Sequence, residues 1–196
     1  MKTLELEVVS GNRSETLQFK VKRMINAGYV GRDRQAVVDH IEELRREGIP
    51  PPPSVPMIFP VLCHNITTAD KIEVVGRKTS GEVEFALLLN AGNIFVGVGS
   101  DHTDRDIERH SIIKSKQVCP NVISKQVWNY DEVKSGWDDL ILQSRVKMTD
   151  GDEAILYQKA PLGSIISAKE LMDLVESKMI DGMNDGLVLF RAPCLF

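Results

Sequence analysis

The sequence GEVEFALLLNAGNIFVGVGSD, residues 81–101, contains the pattern on which the predicted fold depends. Two apolar runs, at 83–89 and 94–98, predict two β-strands. The short segment Ala91-Gly92-Asn93 between them is typical of a tight turn. We therefore expect an antiparallel hairpin in which the two strands are direct neighbours.

Three carboxylates lie at the open end of this hairpin. Glu82 and Glu84 are two residues apart on a strand, so both side chains point to one face, about 7 Å apart. Asp101 follows the second strand and would lie roughly opposite them, where Gly97 and Gly99 allow close backbone approach. A Glu-x-Glu pair alone more often marks a solvated strand face. Three carboxylates brought together predict a site for a hard divalent cation.

The rest of the chain predicts a β-rich α+β domain with a few peripheral helices. Residues 1–26 are interpreted as an N-terminal hairpin appendage and 27–196 as the main domain. Further strands are predicted at 4–8, 16–21, 72–75, 140–146 and 187–190. Helices are predicted at 23–27, 33–47 and 168–178, short helical or irregular segments at 104–117 and 130–136, and a hairpin turn at Asp150-Gly151.

The helix predicted at 33–47 carries a second candidate pair, His40 and Glu43. They are three residues apart and therefore share a helix face. His40 borders the apolar stripe of this helix, so we expect it to be half-buried, with Glu43 raising its basicity and fixing its tautomer. A simple surface contact between the two side chains is the alternative.

The segment after Asp101 is rich in charge, reading His-Thr-Asp-Arg-Asp-Ile-Glu from residue 102 to 108. Arg105 could neutralise a neighbouring carboxylate or bind a substrate carboxylate with two parallel hydrogen bonds. A structural cluster of ion pairs is the competing interpretation.

Composition narrows the class of protein. The chain of 196 residues is 42% hydrophobic and 27% charged, which is typical of a globular domain. Its net charge of −4 argues against a nucleic-acid-binding protein. The three cysteines are widely spaced and form no C-x-x-C motif, and the N-terminus does not resemble a signal peptide. The sequence also has no long apolar run. These features together predict a cytoplasmic protein that does not enter membranes.

In their order along the chain these motifs resemble the fumarylacetoacetate hydrolase superfamily. Its members carry Glu-x-Glu on a strand, followed by Asp-x-(Ser/Thr)-x-Arg-Asp-x-Gln. The matching residues here are Glu82, Glu84, Asp101, Thr103, Arg105 and Asp106, with Glu108 in the place of the glutamine. The superfamily's lysine before Cys-Pro corresponds to Lys114 or Lys116, and we favour Lys116.

The resemblance runs from about residue 27 to 193 and is closest to a small, functionally uncharacterised bacterial branch. Upstream it includes Val30-Gly31-Arg32 and the His40–Glu43 pair; downstream it includes the segments 150–158 and 186–193. The chain departs from the superfamily at Arg191-Ala192-Pro193, which replaces a Gly-Thr-Pro turn containing a substrate-contacting threonine.

The resemblance implies an FAH-like mixed β-sheet roll or sandwich, with residues 27–196 as an FAH-like catalytic domain, and a homodimer. It also implies Mg²⁺ or Mn²⁺, with Ca²⁺ as a substitute in crystals, bound by Glu82, Glu84 and Asp101. The metal would chelate a small 2-oxo acid or acylpyruvate and stabilise an enolate. The other implied site residues are His40, Glu43, Lys116 and Arg105 for catalysis and Arg105, Glu108, Lys114 and Thr103 for substrate binding.

The expected activity is that of a hydrolase or lyase that cleaves a C–C bond or decarboxylates its substrate. Because the C-terminal segment departs from the superfamily, a catalytically inactive binding or scaffold protein is the alternative. A nucleotide-binding protein that uses Gly97-x-Gly99 is a third, weaker reading, since no P-loop or G-x-G-x-x-G follows.

Overall fold

The computed structural model describes residues 1–46, 48–148, 151–178 and 185–191. Its strands are β1 Lys2–Ser10, β2 Arg13–Val21, β3 Arg23–Gly28, β4 Met57–Val61, β5 Ile66–Thr67, β6 Thr79–Asn90, β7 Asn93–Asp104, β8 Asn121–Asn129, β9 Ile141–Val146, β10 Ile155–Pro161 and β11 Leu187–Arg191. Its α-helices are α1 Arg34–Arg46, α2 Arg105–Glu108, α3 Ile112–Ser115, α4 Tyr130–Val133 and α5 Ala168–Lys178. Short 3₁₀ helices span Lys134–Asp139 and Leu162–Ser164.

Nine strands of the described residues form one mixed sheet. Eight of them follow the order β2-β1-β8-β7-β6-β11-β3-β4, and β5 pairs with β8 beside this path. β1 and β5 run parallel to β8, and β11 runs parallel to β3, while the remaining neighbours are antiparallel. β9 and β10 form a separate two-stranded sheet. The predicted β-rich α+β class with a mixed sheet and few helices is confirmed.

The two faces of the sheet bury separate apolar cores. On one face, Phe85 and Leu87 belong to a cluster with Leu171 and Val175 of α5. On the other face, Leu88 of β6 shares a cluster with Leu6 of β1. Neighbouring strands are about 4.8 Å apart and β1 lies three places from β6, so this shared core shows that the sheet curls towards itself.

The hairpin of β6 and β7 is formed as the sequence predicts. Its strands pair antiparallel from Thr79 opposite Asp104 to Asn90 opposite Asn93. The two residues between the strands have positive φ, 51° at Ala91 and 77° at Gly92. Two positive φ values are the requirement of the type I′ turn, whose twist matches that of paired strands.

Two predicted elements are wrong. Residues 23–27 were predicted to be helical but form β3, because this inner strand is buried on both faces and shows no alternation of polar and apolar residues. Residues 72–75 were predicted to be a strand but have no regular structure. Val74 and Val75 are 37% and 83% exposed, so these two apolar side chains of the run are not covered by the fold.

The N-terminal hairpin of β1 and β2 lies at one edge of the large sheet, with β1 paired to β8. Its buried residues Leu4 and Leu6 share a core with Phe190 of β11. The predicted division at residue 26 falls within β3.

Helix α1 agrees with its predicted signals. Asp33 accepts hydrogen bonds from the backbone N–H groups of Gln35 and Ala36, as an N-cap does, and Gly48 after the helix has a φ of 88°. The turn predicted at Asp150 lies outside the described residues, although the flanking strands β9 and β10 pair antiparallel. No helix in the described parts of the chain is long and apolar enough to cross a membrane.

Candidate active site

A cavity of about 360 Å³, here called the main cavity, opens where β3, β6, β7, α1 and the short helices after β7 meet. It brings together predicted site residues that lie far apart in the sequence, from His40 to Lys116. The predicted site residues that line it are His40, Glu82, Glu84, Asp101, Arg105, Glu108 and Lys116.

Strand register places the three predicted metal ligands on one face. Glu82 of β6 pairs directly with Asp101 of β7, and Glu84 pairs with Gly99. Because side chains alternate along a strand, Glu82, Glu84 and Asp101 point to the same side of the sheet. Glu84 and Asp101 are only 3% and 1% exposed, and Glu82 is half-buried. Gly99 is needed beside them, because a Cβ there would lie 2.5 Å from the Phe190 ring.

Asp101 is held from two sides. The Lys116 amine donates to its Oδ2, and the Asn121 side-chain amide donates to its Oδ1 over 3.1 Å. Burial by itself lowers the pKa of Lys116, but the neighbouring charges of Asp101, Glu82 and Glu84 outweigh it and raise that pKa. Lys116 therefore remains a cation in the main cavity.

Arg105, the first residue of α2, holds Glu82. Its guanidinium donates to Glu82 over 2.9 Å, to Glu108 over 2.8 Å and to the Ser80 hydroxyl over 2.7 Å. Burial raises the pKa of Glu82, yet the positive charges of Lys116 and Arg105 outweigh it and lower that pKa. The structure thus shows Arg105 neutralising neighbouring carboxylates, the first of the two functions considered for it.

Glu84 has the least compensated charge of the three carboxylates. Its Oε2 is buried and has no hydrogen-bond partner among the described residues. Burial, together with the nearby negative charge of Asp101, raises the pKa of Glu84 well above its usual range. A positive charge brought close to Glu84 would relieve both effects.

The donor set therefore fits a hard divalent cation in its chemistry, with three carboxylates on one face and an unpartnered oxygen at Glu84. Within the described ranges, no three His, Cys, Asp or Glu side chains are already arranged to hold a metal ion. Arg105 and Lys116 instead form separate ion pairs with Glu82 and Asp101. The assignment of these residues as metal ligands remains a prediction.

His40 projects from α1 into the main cavity and is half-buried. Burial lowers its pKa, and the opposing effect of Glu82 and Glu43 is too small to restore it. Glu43 raises the pKa of His40, as the sequence predicts, but the desolvation of the imidazole outweighs this effect and the net shift of the pKa is downward. His40 is neutral at physiological pH and can accept a proton.

Three other predicted residues do not line the main cavity. Thr103 is buried within β7, and Lys114 is exposed on α3, so of the two candidate lysines only Lys116 reaches the site. The charge of Glu43 raises the pKa of His40 from outside the cavity lining. The substrate-binding roles given to Thr103 and Lys114 have no support from this geometry.

The cavity wall also contains polar residues to which the sequence assigned no function, Asn26, Gln158 and Arg191 among them. Gln158 accepts hydrogen bonds from the Val83 N–H over 2.8 Å and from the Ser144 hydroxyl over 3.2 Å, and so ties β10 to β6. The only sequence signals were indirect. Gln158 ends a segment that matches the superfamily, and Arg191 begins the segment that departs from it.

Residues 27–193 match a family model described as "Protein of unknown function (DUF2848)". The chain belongs to this family. No functionally curated protein matches the sequence. The matched residues are those over which the sequence motifs run, from about 27 to 193. The family description gives no activity, so the activity has to be inferred from the site.

Several solved structures share the fold of this chain. A yeast fumarylacetoacetate hydrolase family protein matches with a TM-score of 0.57 and 15% identity over 88% of this chain and 80% of its own. A 5-carboxymethyl-2-hydroxymuconate delta-isomerase from Mycobacterium smegmatis matches with a TM-score of 0.61 and 16% identity over 93% and 74%. A structure of 2-keto-3-deoxy-D-arabinonate dehydratase complexed with magnesium and 2,5-dioxopentanoate also matches, with a TM-score of 0.61 and 16% identity over 93% of this chain and 66% of its own. The predicted resemblance to the fumarylacetoacetate hydrolase superfamily is confirmed for the fold.

Proposed function

We propose that this protein is a metal-dependent enzyme that acts on a small 2-oxo acid or acylpyruvate, by hydrolytic C–C bond cleavage or by decarboxylation. One observation carries the proposal. The main cavity combines three carboxylates on one sheet face, one with an unpartnered buried oxygen, with a charged lysine and a neutral histidine.

Glu82, Glu84 and Asp101 would hold Mg²⁺ or Mn²⁺. A divalent cation bound there would act as a Lewis acid towards the carbonyl oxygen of the substrate. The magnesium complex of the dehydratase with the same fold supports the use of a divalent metal. Reactions differ among proteins of this fold, which include that dehydratase and an isomerase, so the reaction type is the part of the proposal that experiment has to decide.

The chain's own residues would perform the remaining steps. Lys116 remains charged and would stabilise negative charge that develops on the substrate oxygens. His40 is neutral and lines the same cavity, so it would take a proton from a water molecule. Arg105 and Asn121 act through other groups, because they hold Glu82 and Asp101 in place.

A panel of acylpyruvates and 2-oxo acids, assayed with Mg²⁺ and with Mn²⁺, tests the proposal. We expect turnover that chelation abolishes and that Asp101→Asn or Glu84→Gln lowers by about 10²-fold or more. Glu15→Gln, on exposed β2, is the matched control and should keep full activity.

A catalytically inactive binding or scaffold protein is the second candidate. It is favoured by Arg191, which lines the main cavity where the superfamily has its substrate-contacting turn. Metal binding without turnover on the whole panel would support the scaffold and contradict the enzyme.

We also propose that two copies of the chain associate. Val98, Leu140 and Ile141 are 43%, 42% and 52% exposed and line one largely apolar surface cavity of about 280 Å³. A second copy would cover these side chains. Light scattering of the purified protein should give twice the chain mass, and Ile141→Glu should reduce it to a single chain.

A further inference from the structure

Tyr29 has a backbone conformation that a tyrosine rarely adopts. Its φ is 59°, in the left-handed region, where a side chain with a Cβ is strained and glycine is favoured. The other non-glycine residue with positive φ among the described residues is Ala91, which the type I′ turn of the β6–β7 hairpin explains. Tyr29 lies instead between β3 and α1, at the wall of the main cavity. Strain of this kind collects at functional sites.

The chain is fixed on both sides of Tyr29. Before it, Gly28 ends β3 so close to β4 that a Cβ there would lie 2.8 Å from the Phe59 ring. After it, the Val30 carbonyl oxygen accepts a hydrogen bond from the Ile166 N–H over 3.2 Å. Neighbours on both sides therefore impose the left-handed conformation, which is the condition under which such strain persists in a folded protein.

The ring that this conformation carries lies beside His40. The centroids of the Tyr29 and His40 rings are 6.2 Å apart, and the ring planes are inclined by 37°. This separation falls within the range of about 4.5–7 Å that is typical of contacts between aromatic rings. Both side chains are half-buried and line the main cavity. Tyr29 is thus a wall against one side of the imidazole.

Such a wall has two effects on the imidazole. It restricts the directions in which the ring can turn, and it keeps water from the side that it covers. Burial is the largest cause that lowers the pKa of His40, and the tyrosine ring is part of what buries it.

We propose that Tyr29 is a positioning residue, whose ring holds the His40 imidazole towards the main cavity and screens it from bulk water. The inference rests on the proposed function, because His40 is assigned there to take a proton from a water molecule. Tyr29 acts through its ring and needs no hydroxyl for this role. Displacement of a reacting group by about 1 Å can lower a rate 10²-fold, so the position of the imidazole matters.

The reactivity of the histidines with diethyl pyrocarbonate, which acylates neutral imidazoles, tests the contact without turnover. Mass spectrometry of peptides from the metal-free protein gives a rate for each histidine. His40 should react more slowly than the exposed His64 and His110. Tyr29→Asn removes the ring and places a residue that tolerates the left-handed conformation, so it should raise the rate at His40 severalfold. Tyr29→Phe keeps the ring and should keep the slow rate.

Two comparisons show whether the effect is local. Ala91→Asn makes a matched change at the other left-handed position, on an exposed turn outside the main cavity, and should leave the rate at His40 unchanged. His102 is half-buried on β7 and does not line the main cavity, so its rate reports general loosening of the fold. In Tyr29→Asn that rate should stay as it is in the unmodified protein.

Turnover on the acylpyruvate and 2-oxo acid panel gives the functional result. Tyr29→Asn should lower kcat about tenfold or more with KM nearly unchanged, because the ring orients a catalytic group and does not bind substrate. Tyr29→Phe and Ala91→Asn should keep kcat.

The outcomes separate this role from the proposed function. An unchanged rate at His40 in Tyr29→Asn, or an equal rise at His40 and His102, would overturn the positioning role. Equal losses of kcat in Tyr29→Phe and Tyr29→Asn would also overturn it, because they would assign the effect to the hydroxyl. If the unmodified protein turned over no acid of the panel, the proposed function would fail, and the rates at His40 would still decide whether Tyr29 holds the imidazole.

Discussion

Glu82 on β6 lies directly opposite Asp101 on β7, and each of these two carboxylates is bound by a different cation. Arg105 pairs with Glu82, and Lys116 pairs with Asp101. Glu84, the third carboxylate on the same face, pairs with neither of them in the described structure. The site is therefore stabilised by the protein's own positive charges before any ligand enters.

The ion pair of Lys116 and Asp101 gives the first prediction. In the presence of a chelator, Lys116→Met should lower the free energy of unfolding by about 3 kcal/mol, because it leaves the Asp101 charge buried without its counter-charge. The double variant Lys116→Met/Asp101→Asn should recover most of this loss. Urea unfolding of the single and double variants measures both, and strictly additive losses would argue against a coupled pair.

Competition between Lys116 and a metal ion for Asp101 gives the second prediction. We expect Lys116→Met to bind Mn²⁺ about tenfold more tightly, because the competing cation is gone. Its turnover should nevertheless fall by about 10²-fold, because the charge facing the substrate oxygens is lost. Electron paramagnetic resonance of free Mn²⁺ follows binding, and a weaker affinity in the variant would show that Lys116 supports the metal site.

Burial of Glu84 gives a prediction about pH. Its pKa is raised in the folded protein, so between the ordinary carboxyl pKa and the raised value the folded state carries one more proton than the unfolded chain. The free energy of unfolding must then fall as pH rises through this window. Without metal, Glu84→Gln should be more stable than the unmodified protein by about 1–3 kcal/mol near pH 8, and the difference should shrink towards pH 5.

Denaturant titrations at several pH values in a chelating buffer would check this. Glu82→Gln is the matched comparison, because the pKa of Glu82 is lowered and its carboxylate is paired with Arg105. That variant should be less stable than the unmodified protein near neutral pH. Equal pH profiles for the two variants would contradict the assignment of the uncompensated charge to Glu84.

Gly99 gives a prediction about packing. A Cβ at this position would lie 2.5 Å from the Phe190 ring and 2.9 Å from the Val122 carbonyl oxygen, so Gly99→Ala should cost about 1–3 kcal/mol of stability. Gly136→Ala is the control, since nothing lies within 4 Å of its Cβ position, and should change stability little. Thermal unfolding of both variants gives the comparison.

The parts of the fold and site that are local in sequence could be predicted. The β6–β7 hairpin and its carboxylates are separated by one short turn, so alternation and turn composition were enough to bring Glu82 opposite Asp101. Residues brought in by strand order could not be found this way. Asn26 and Arg191 lie on adjacent strands at the cavity wall only because β11 inserts between β6 and β3, and no periodicity in the sequence encodes that order.

Strand prediction failed where tertiary burial outweighed the local pattern. The helix predicted at 23–27 is a strand whose inner residues are buried, whereas the strand predicted at 72–75 has no regular structure. β8, Asn121–Asn129, went unpredicted because polar residues interrupt it, although it pairs with β1, β5 and β7. Backbone hydrogen bonds to these neighbouring strands stabilise β8, although its side-chain pattern does not predict a strand.

The position of β11 also governs when the site can form. Leu187–Arg191 follows every other described strand in the chain, yet it lies between β6 and β3 and contributes Arg191 to the cavity wall. During synthesis on the ribosome, the edges of β6 and β3 that pair with β11 therefore remain unpaired until residue 191 has left the exit tunnel. A nascent chain arrested before this point would present two strands with open edges to chaperones and to other nascent chains, and its main cavity would lack the wall residue Arg191.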